Sequence, residues 1–351
     1  MSTKKLNNVV RSVLNCLIPI VLAFAIGAVV IAMIGENPLE AYGVLLKRSF
    51  FTSVGFQNTM HYAGPMVLTG LAIAVTFKAN IYNMGVEGAL LVGGFFAGIA
   101  GSHLVNVPSV PAKLICFAVA IVCGVAYVMI AAVLKVKFRA DEMVVTLMMN
   151  YALAKVLEYL ATTVFRDNGS GYVRTPVISE SSMFVRIFGR SRLTGFFFIV
   201  LVMYIVMKKS KLGYEITAIG KNFEFAEATG MNVGKKIMII MAISGALAGI
   251  AGAGWMMEDQ YSYTLSFSGS PGLGWDGMLI ALMGGHDPIG ILIAAIFYAG
   301  LKTGADSINM YTSVPKEIVA LIQGLLVLFL AVKFINERFH LFGRHAKRKE
   351  A

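Results

Sequence analysis

The chain has 351 residues, of which 57% are hydrophobic and only 14% charged, and its formal net charge is +11. A soluble domain usually carries about 25% charged residues, and this much apolar surface aggregates in water. Soluble enzymes and soluble nucleic-acid binders are therefore excluded, and the mean hydropathy of +0.74 defines a polytopic membrane protein.

A helical crossing needs about 20 mostly apolar residues. The first candidate, 12–34, follows Lys4, Lys5 and Arg11, as in a signal peptide. Its apolar run is long and lacks a clear small-x-small cleavage site, so it reads as a retained helix. Further spans are predicted at 60–78, 88–105, 112–134, 143–165, 193–208, 237–257, 276–285 with 289–303, and 317–335. The runs are continuous rather than alternating, which excludes a β-barrel. The expected fold is an all-α polytopic membrane protein of about ten transmembrane helices, some broken or re-entrant, forming one transmembrane domain over 1–351.

The basic residues report topology, because Lys and Arg collect on the cytoplasmic side. They cluster at the N-terminus, at Lys135, Lys137 and Arg139, in the 208–236 loop, and in a basic tail over 336–351. Both termini are then cytoplasmic in a plasma-membrane protein, and an even number of crossings favours ten. The segment 166–192 argues the other way. It carries Arg166, Arg174, Arg186, Arg190 and Arg192, yet parity places it outside. With the charge assigned to topology, the expected surroundings are membrane lipid and not nucleic acid.

Catalytic groupings are missing. Cys16, Cys116 and Cys123 fall inside predicted spans without a CxxC pair. The five histidines form no HExxH or HxxxH, and no GxSxG or Walker A sequence occurs. No catalytic residue, metal or cofactor is expected, and energy for transport must come from an ion gradient or a partner.

Two polar stretches break apolar runs. "NIYNMGVEG", Asn80 to Gly88, interrupts the second and third spans, and Gly284-Gly285-His286-Asp287-Pro288 interrupts the eighth region. They lie in opposite halves of the chain, which points to a weak internal repeat and a transport site. Asn80, Asn83 and Glu87 can satisfy the backbone freed by a helix break. Two readings stand: a capped turn at a membrane edge, or a polar patch on the translocation pathway. Asn83 and Glu87 share a face if the stretch is helical.

Asn150, Lys155 and Glu158 lie inside the fifth span. Lys155 and Glu158 are three apart and able to pair, and intramembrane ionisable groups are functional candidates by default; packing between helices is the alternative. Gly245, Gly249 and Gly252, with Ala248 and Ala251, predict close helix packing in the seventh span.

The 208–236 loop contains a short helical stretch, Asn222 to Thr229. Asn222 suits the N-cap, Glu224 the first turn, and Gly230 a left-handed terminus. Such a helix either docks on another protein or lies solvated at the membrane. The segment resembles the coupling loop of ABC-importer permeases, whose E-A-A-x-x-x-G signature Glu224, Ala226 and Gly230 match, with Phe225 departing at the second position. "FKANIYNMGVEGALLVGGFFAG", "SGALAGIAGA" and "GWDGMLIALMGGHDPIG" are similar to the permease group serving sugars, branched-chain amino acids and nucleosides, and to its nucleoside members above all. Tyr82-Asn83-Met84-Gly85 and Ala89 depart from the group's F-N-I-G and Gln.

The resemblance implies the permease subunit of an ATP-driven nucleoside importer. A separate ABC ATPase, a second homologous permease subunit and an extracytoplasmic substrate-binding lipoprotein would complete it. Asn222, Glu224, Ala226, Glu227 and Gly230 are then coupling-loop candidates. Asn80, Asn83, Glu87, Asn150, Lys155, Glu158 and Trp255 are pathway candidates. A nucleoside needs aromatic stacking and polar groups, and "FQNTMHY" and "WMMEDQYSY", holding His61, Tyr62, Trp255, Glu258 and Asp259, offer both. The alternatives are a sugar or branched-chain amino acid permease of the same group, and an ion-coupled secondary transporter that works alone.

Overall fold

The computed structural model describes residues 18, 20–184, 192–268, 272–315 and 317–339. In chain order the helices are α1 (Ile20–Met33), α2 (Pro38–Phe50), α3 (Ser53–Lys78), α4 (Val86–His103), α5 (Ser109–Phe138), α6 (Glu142–Tyr159) and α7 (Phe197–Lys209). There follow α8 (Lys211–Lys221), α9 (Phe223–Ala228), α10 (Val233–Trp255), α11 (Leu265–Ser268), α12 (Leu273–Met283), α13 (Pro288–Tyr311) and α14 (Glu317–Phe339). Among the described residues the β pairing is confined to an isolated antiparallel bridge between Arg174 and Thr264.

Among the described residues, six helices are long and apolar enough to cross a membrane: Ser53–Phe77, Val86–His103, Ser109–Phe138, Glu142–Val164, Val233–Gln260 and Pro288–Tyr311. A seventh is reached if Leu193–Lys209 and Lys211–Lys221, bent by 66°, count as one span. The expected ten is not reached among the described residues. The predicted apolar regions do form helices; Ile20–Met33 and Leu273–Met283 are shorter than a crossing as described, while α14 runs 23 residues. α12 is short because the chain breaks at Gly284, and the first span and the basic tail extend beyond the described residues.

α2, α8 and the four-residue α11 escape the sequence-based reading, since none carries an apolar run of spanning length. α2 contains Glu40, Lys47 and Arg48, and starts where the Asn37 side chain accepts from Leu39 N with Pro38 in the first turn. α8 starts where Ser210 Oγ accepts from Gly213 N.

The chain forms two compact units, Met1–Thr59 with Gly300–Ala351, and Met60–Ala299. In the first, Tyr42 donates to the Phe24 carbonyl at 2.7 Å and Ser49 Oγ donates to the Gly300 carbonyl at 2.6 Å. The Arg48 guanidinium lies 3.9 Å from the centre of the Tyr311 ring.

The second unit is built around α4, α5 and α10, whose backbones approach through glycines. A Cβ on Gly93 would lie 2.7 Å from Gly249 Cα, and one on Gly94 would lie 3.0 Å from the Gly252 carbonyl oxygen. Gly124 faces Gly245 and Gly249 in the same way. Lipid gives apolar helices little reason to associate, so van der Waals contact between close backbones holds them. This is the packing expected from the small residues of Ser244 to Gly254.

The described part of the Arg-rich segment packs at the C-terminal end of α10. Thr175 N donates to the Tyr263 carbonyl, Ile178 N to that of Tyr261 and Phe184 N to that of Met257, at 3.0, 2.9 and 2.9 Å. All 23 residues of α10 separate it from the basic 208–236 loop.

Candidate functional site

The polar interruption after α3 is a built piece of structure. Asn80 takes a left-handed conformation at φ 60°, while Ala79 N and Ile81 N both donate to the Thr76 carbonyl. That is a helix terminus with Asn at the position usually held by Gly. Tyr82 OH donates to Asn80 Oδ1 at 3.0 Å. The chain then runs without helix until Gly85, and its backbone groups need outside partners.

Those partners come largely from one face of α6. Tyr82 N donates to Glu142 Oε1 at 3.1 Å, Met84 N to Thr146 Oγ1 at 3.1 Å, and Gly88 N to Asn150 Oδ1 at 3.1 Å. Asn150 Nδ2 returns a bond to the Met84 carbonyl at 2.8 Å, and Tyr127 OH donates to Asn150 Oδ1 at 2.9 Å. Glu142, Thr146 and Asn150 are buried and spaced four apart, so they form one ladder on a helix face. The second oxygen of Glu142 bonds Lys135. Asn83 points elsewhere: its Nδ2 donates to Ser244 Oγ on α10 at 3.0 Å, and its Oδ1 accepts from Gly85 N at 2.9 Å.

Glu87 caps a different helix. Its carboxylate, 3% exposed, accepts from Gly272 N at 3.0 Å and Gly274 N at 2.5 Å. Gly272 is the N-cap of α12, so the negative charge meets unsatisfied N–H groups and the positive end of the helix dipole. Gly274 has no room for a side chain, since a Cβ would lie 2.6 Å from Glu87 N. Asn83 and Glu87 therefore do not share a helix face: Asn83 precedes α4, while Glu87 lies in its first turn.

The second interruption, between α12 and α13, is a turn with Gly285 and His286 both at positive φ. The His286 ring contacts Phe77 at 5.8 Å between centres, and Asp287 pairs with Lys208 at 3.4 Å. Burial, and then the neighbouring Lys78 charge, lower the His286 pKa to about 4.

Lys155 and Glu158 are on the other side of α6. They form an ion pair at 2.8 Å, and the Lys155 side chain is 81% exposed. Lys155 lies about 20 Å along the candidate span from Glu142, at 1.5 Å per residue. A charge near the centre of a spanning helix costs about 2.5–3.5 kcal/mol on insertion scales. Of the seven sequence-based pathway candidates, Lys155 and Glu158 alone carry charge on an outward face of a spanning helix. Asn80, Asn83, Glu87 and Asn150 are held in the backbone brackets.

Trp255 is buried at the far end of α10. Its ring stacks on His61 at 5.3 Å and 29°, with Tyr62 tilted against it at 5.7 Å. His61 Nδ1 lies 3.6 Å from Glu258 and Nε2 lies 3.2 Å from Asp259. The two carboxylates come from a π-helical turn, Met256–Gln260, a helix irregularity common at functional sites.

The loop helix α9 forms as its sequence predicts. Asn222 Oδ1 accepts from Phe225 N at 2.8 Å, and Gly230 closes the helix at φ 83°, a conformation costly to residues with a Cβ. Ala226 is buried while Phe223 and Phe225 are exposed, as are Glu224 and Glu227. Beside α9 lies a cavity of about 600 Å³ lined by Lys135, Arg139, Glu224, Glu227 and apolar residues of α10.

A multi-span helical membrane protein with broken helices at polar brackets and an exposed helix in a basic loop belongs among transport permeases. A model of the family described as branched-chain amino acid transport system / permease component matches residues 55–331, and the chain belongs to that family. It is 33% identical to the guanosine ABC transporter permease protein NupP of Bacillus subtilis, over 91% of this chain and 92% of the relative. It is 30% identical to the nucleoside ABC transporter permease protein NupB of Lactococcus lactis, over 95% and 94%. The glucose ABC transporter permease protein TsgB13 of Haloferax volcanii is 27% identical, over 91% and 87%.

The ladder Glu142, Thr146 and Asn150 was only partly legible in the sequence. Its signal is three polar residues spaced four apart along α6. The partner of Glu87 had no local signal, because Gly272 lies 185 residues away.

Proposed function

We propose that the chain is the transmembrane permease subunit of an ATP-driven nucleoside importer in the plasma membrane, with both termini cytoplasmic. The observation that carries the substrate is the identity of 33% and 30% to a guanosine and a nucleoside permease over more than nine tenths of the chain. A separate ABC ATPase docks on α9 through Phe223, Glu224 and Phe225, with Asn222, Ala226, Glu227 and Gly230 shaping the helix. An exposed helix with two outward aromatics and a fixed cap suits insertion into a groove of a partner. The outward face of α6 lines a water-filled pathway whose opposite wall is a second permease subunit. Lys155 and Glu158 support this placement, since hydrocarbon is a costly neighbour for an ion pair. An extracytoplasmic binding lipoprotein delivers the substrate.

The test is uptake by the whole transporter in proteoliposomes, with labelled guanosine, glucose and leucine compared with and without ATP. ATP-dependent guanosine uptake is expected. Preference for glucose would move the substrate to the sugars. Uptake driven by an ion gradient without the ATPase would overturn the assembly.

A further inference from the structure

We propose that the transported nucleoside makes its contacts inside the membrane on the outward face of α6. Tyr151 and Tyr159 stack the base, and Glu158, held by Lys155, accepts hydrogen bonds from the ribose hydroxyls. The inference rests on the nucleoside reading above and adds the residues that would read the substrate.

Among the described residues the α6 span is the least buried of the six. Only 17% of the α6 span is buried inside the chain, against 83% for α3. The inward ladder of Glu142, Thr146 and Asn150 accounts for much of the buried part. On the outward side Tyr151 is 65% and Tyr159 63% exposed. Tyr151, Lys155 and Tyr159 are spaced four apart, so they lie in one row. At 1.5 Å per residue the tyrosines are about 12 Å apart along the axis, with the ion pair between them.

Three points of chemistry favour a nucleoside over lipid or plain helix packing. An ion pair at this depth needs water or polar groups beside it. Tyrosine presents a flat apolar ring with a hydroxyl that seeks a hydrogen-bond partner, so it suits a wet surface touched by an aromatic solute. Stacking is tolerant of base identity, because every base has a π-face. The Glu158 oxygens can accept from two neighbouring hydroxyls, and the Lys155 ammonium at 2.8 Å holds that carboxylate in place. A base-free sugar would use the central pair and leave both aromatic rungs idle.

The experiment uses the whole transporter in proteoliposomes and reads the ratio of guanosine to 2′,3′-dideoxyguanosine uptake. The binding protein is the same in every arm, so a change in the ratio belongs to the permease. Glu158→Gln is expected to lower the ratio by about tenfold, the value of one charged hydrogen bond. Tyr159→Leu and Tyr151→Leu are expected to slow uptake of both nucleosides several-fold, with Phe at either position restoring it. If the pair only glues subunits together, Glu158→Gln reduces the amount of assembled transporter and leaves the ratio unchanged; that result overturns the inference. Leu variants that transport as well as wild type overturn the stacking role. A wild-type transporter that carries no nucleoside refutes the nucleoside reading and this inference with it, whereas nucleoside uptake with an unchanged ratio refutes this inference alone.

Discussion

Glu87→Gln separates a structural bracket from a pathway residue. Both carboxylate oxygens accept backbone N–H groups at the start of α12, from Gly272 at 3.0 Å and Gly274 at 2.5 Å. The amide keeps one acceptor and turns an NH₂ toward the other N–H, so one bond is lost and two donors face each other. A hydrogen bond to a charged group contributes about 1.5–3 kcal/mol, and a buried donor left unmatched costs about 1–3 kcal/mol. Loss of the charge at a helix N-terminus adds up to about 2 kcal/mol in a partly buried setting. The terms overlap, and a net destabilisation of roughly 2–5 kcal/mol is expected. The assay is thermal unfolding of the purified protein in detergent beside uptake by the whole transporter. The melting temperature should fall by several degrees, and uptake should fall in proportion to the folded protein remaining. Glu87→Ala should be worse, since it deserts both N–H groups. An unchanged melting temperature with abolished uptake would refute the bracket and place Glu87 on the pathway.

Asn150→Ala deserts the Met84 carbonyl, Gly88 N and Tyr127 OH together; a loss of about 3 kcal/mol or more is expected, read as a lower unfolding temperature. Gly249→Ala sets a methyl group against the backbone of α5 at Ala120, and overpacking of about 1–3 kcal/mol should appear in the same measurement. His286 stays neutral in the folded protein down to about pH 4, whereas unfolded it titrates near 6.5. The unfolded chain therefore binds more protons between those values. This contribution is complete above about pH 6.5 and is lost as pH falls toward 4, by on the order of 3 kcal/mol. His286→Asn, which tolerates the left-handed backbone, should flatten that slope in melting curves taken across the window.

The α9 helix illustrates what is local. Asn222, Glu224 and Gly230 specify start, first turn and stop within nine residues, and the helix is capped by Asn222 and ends at a left-handed Gly230. Membrane class, the positions of the apolar helices and the close packing at Gly245, Gly249 and Gly252 were legible for the same reason. Hydropathy and small side chains act through the chain's immediate neighbours or through lipid. The crossing count was less legible, because a broken helix and an unbroken one have nearly the same composition.

What the sequence alone determined is thus an all-helical membrane permease with a capped loop helix and two interruptions. Only the tertiary structure decided what the interruptions do. Glu87 serves the N–H groups of Gly272 and Gly274, Asn83 serves Ser244, and α6 turns Glu142, Thr146 and Asn150 inward while Lys155 faces out. Hydrogen bonds of this kind join groups far apart in the chain, and one side chain can satisfy any of several backbones. The partner is chosen by which helices pack together, and no spacing within one segment encodes that choice.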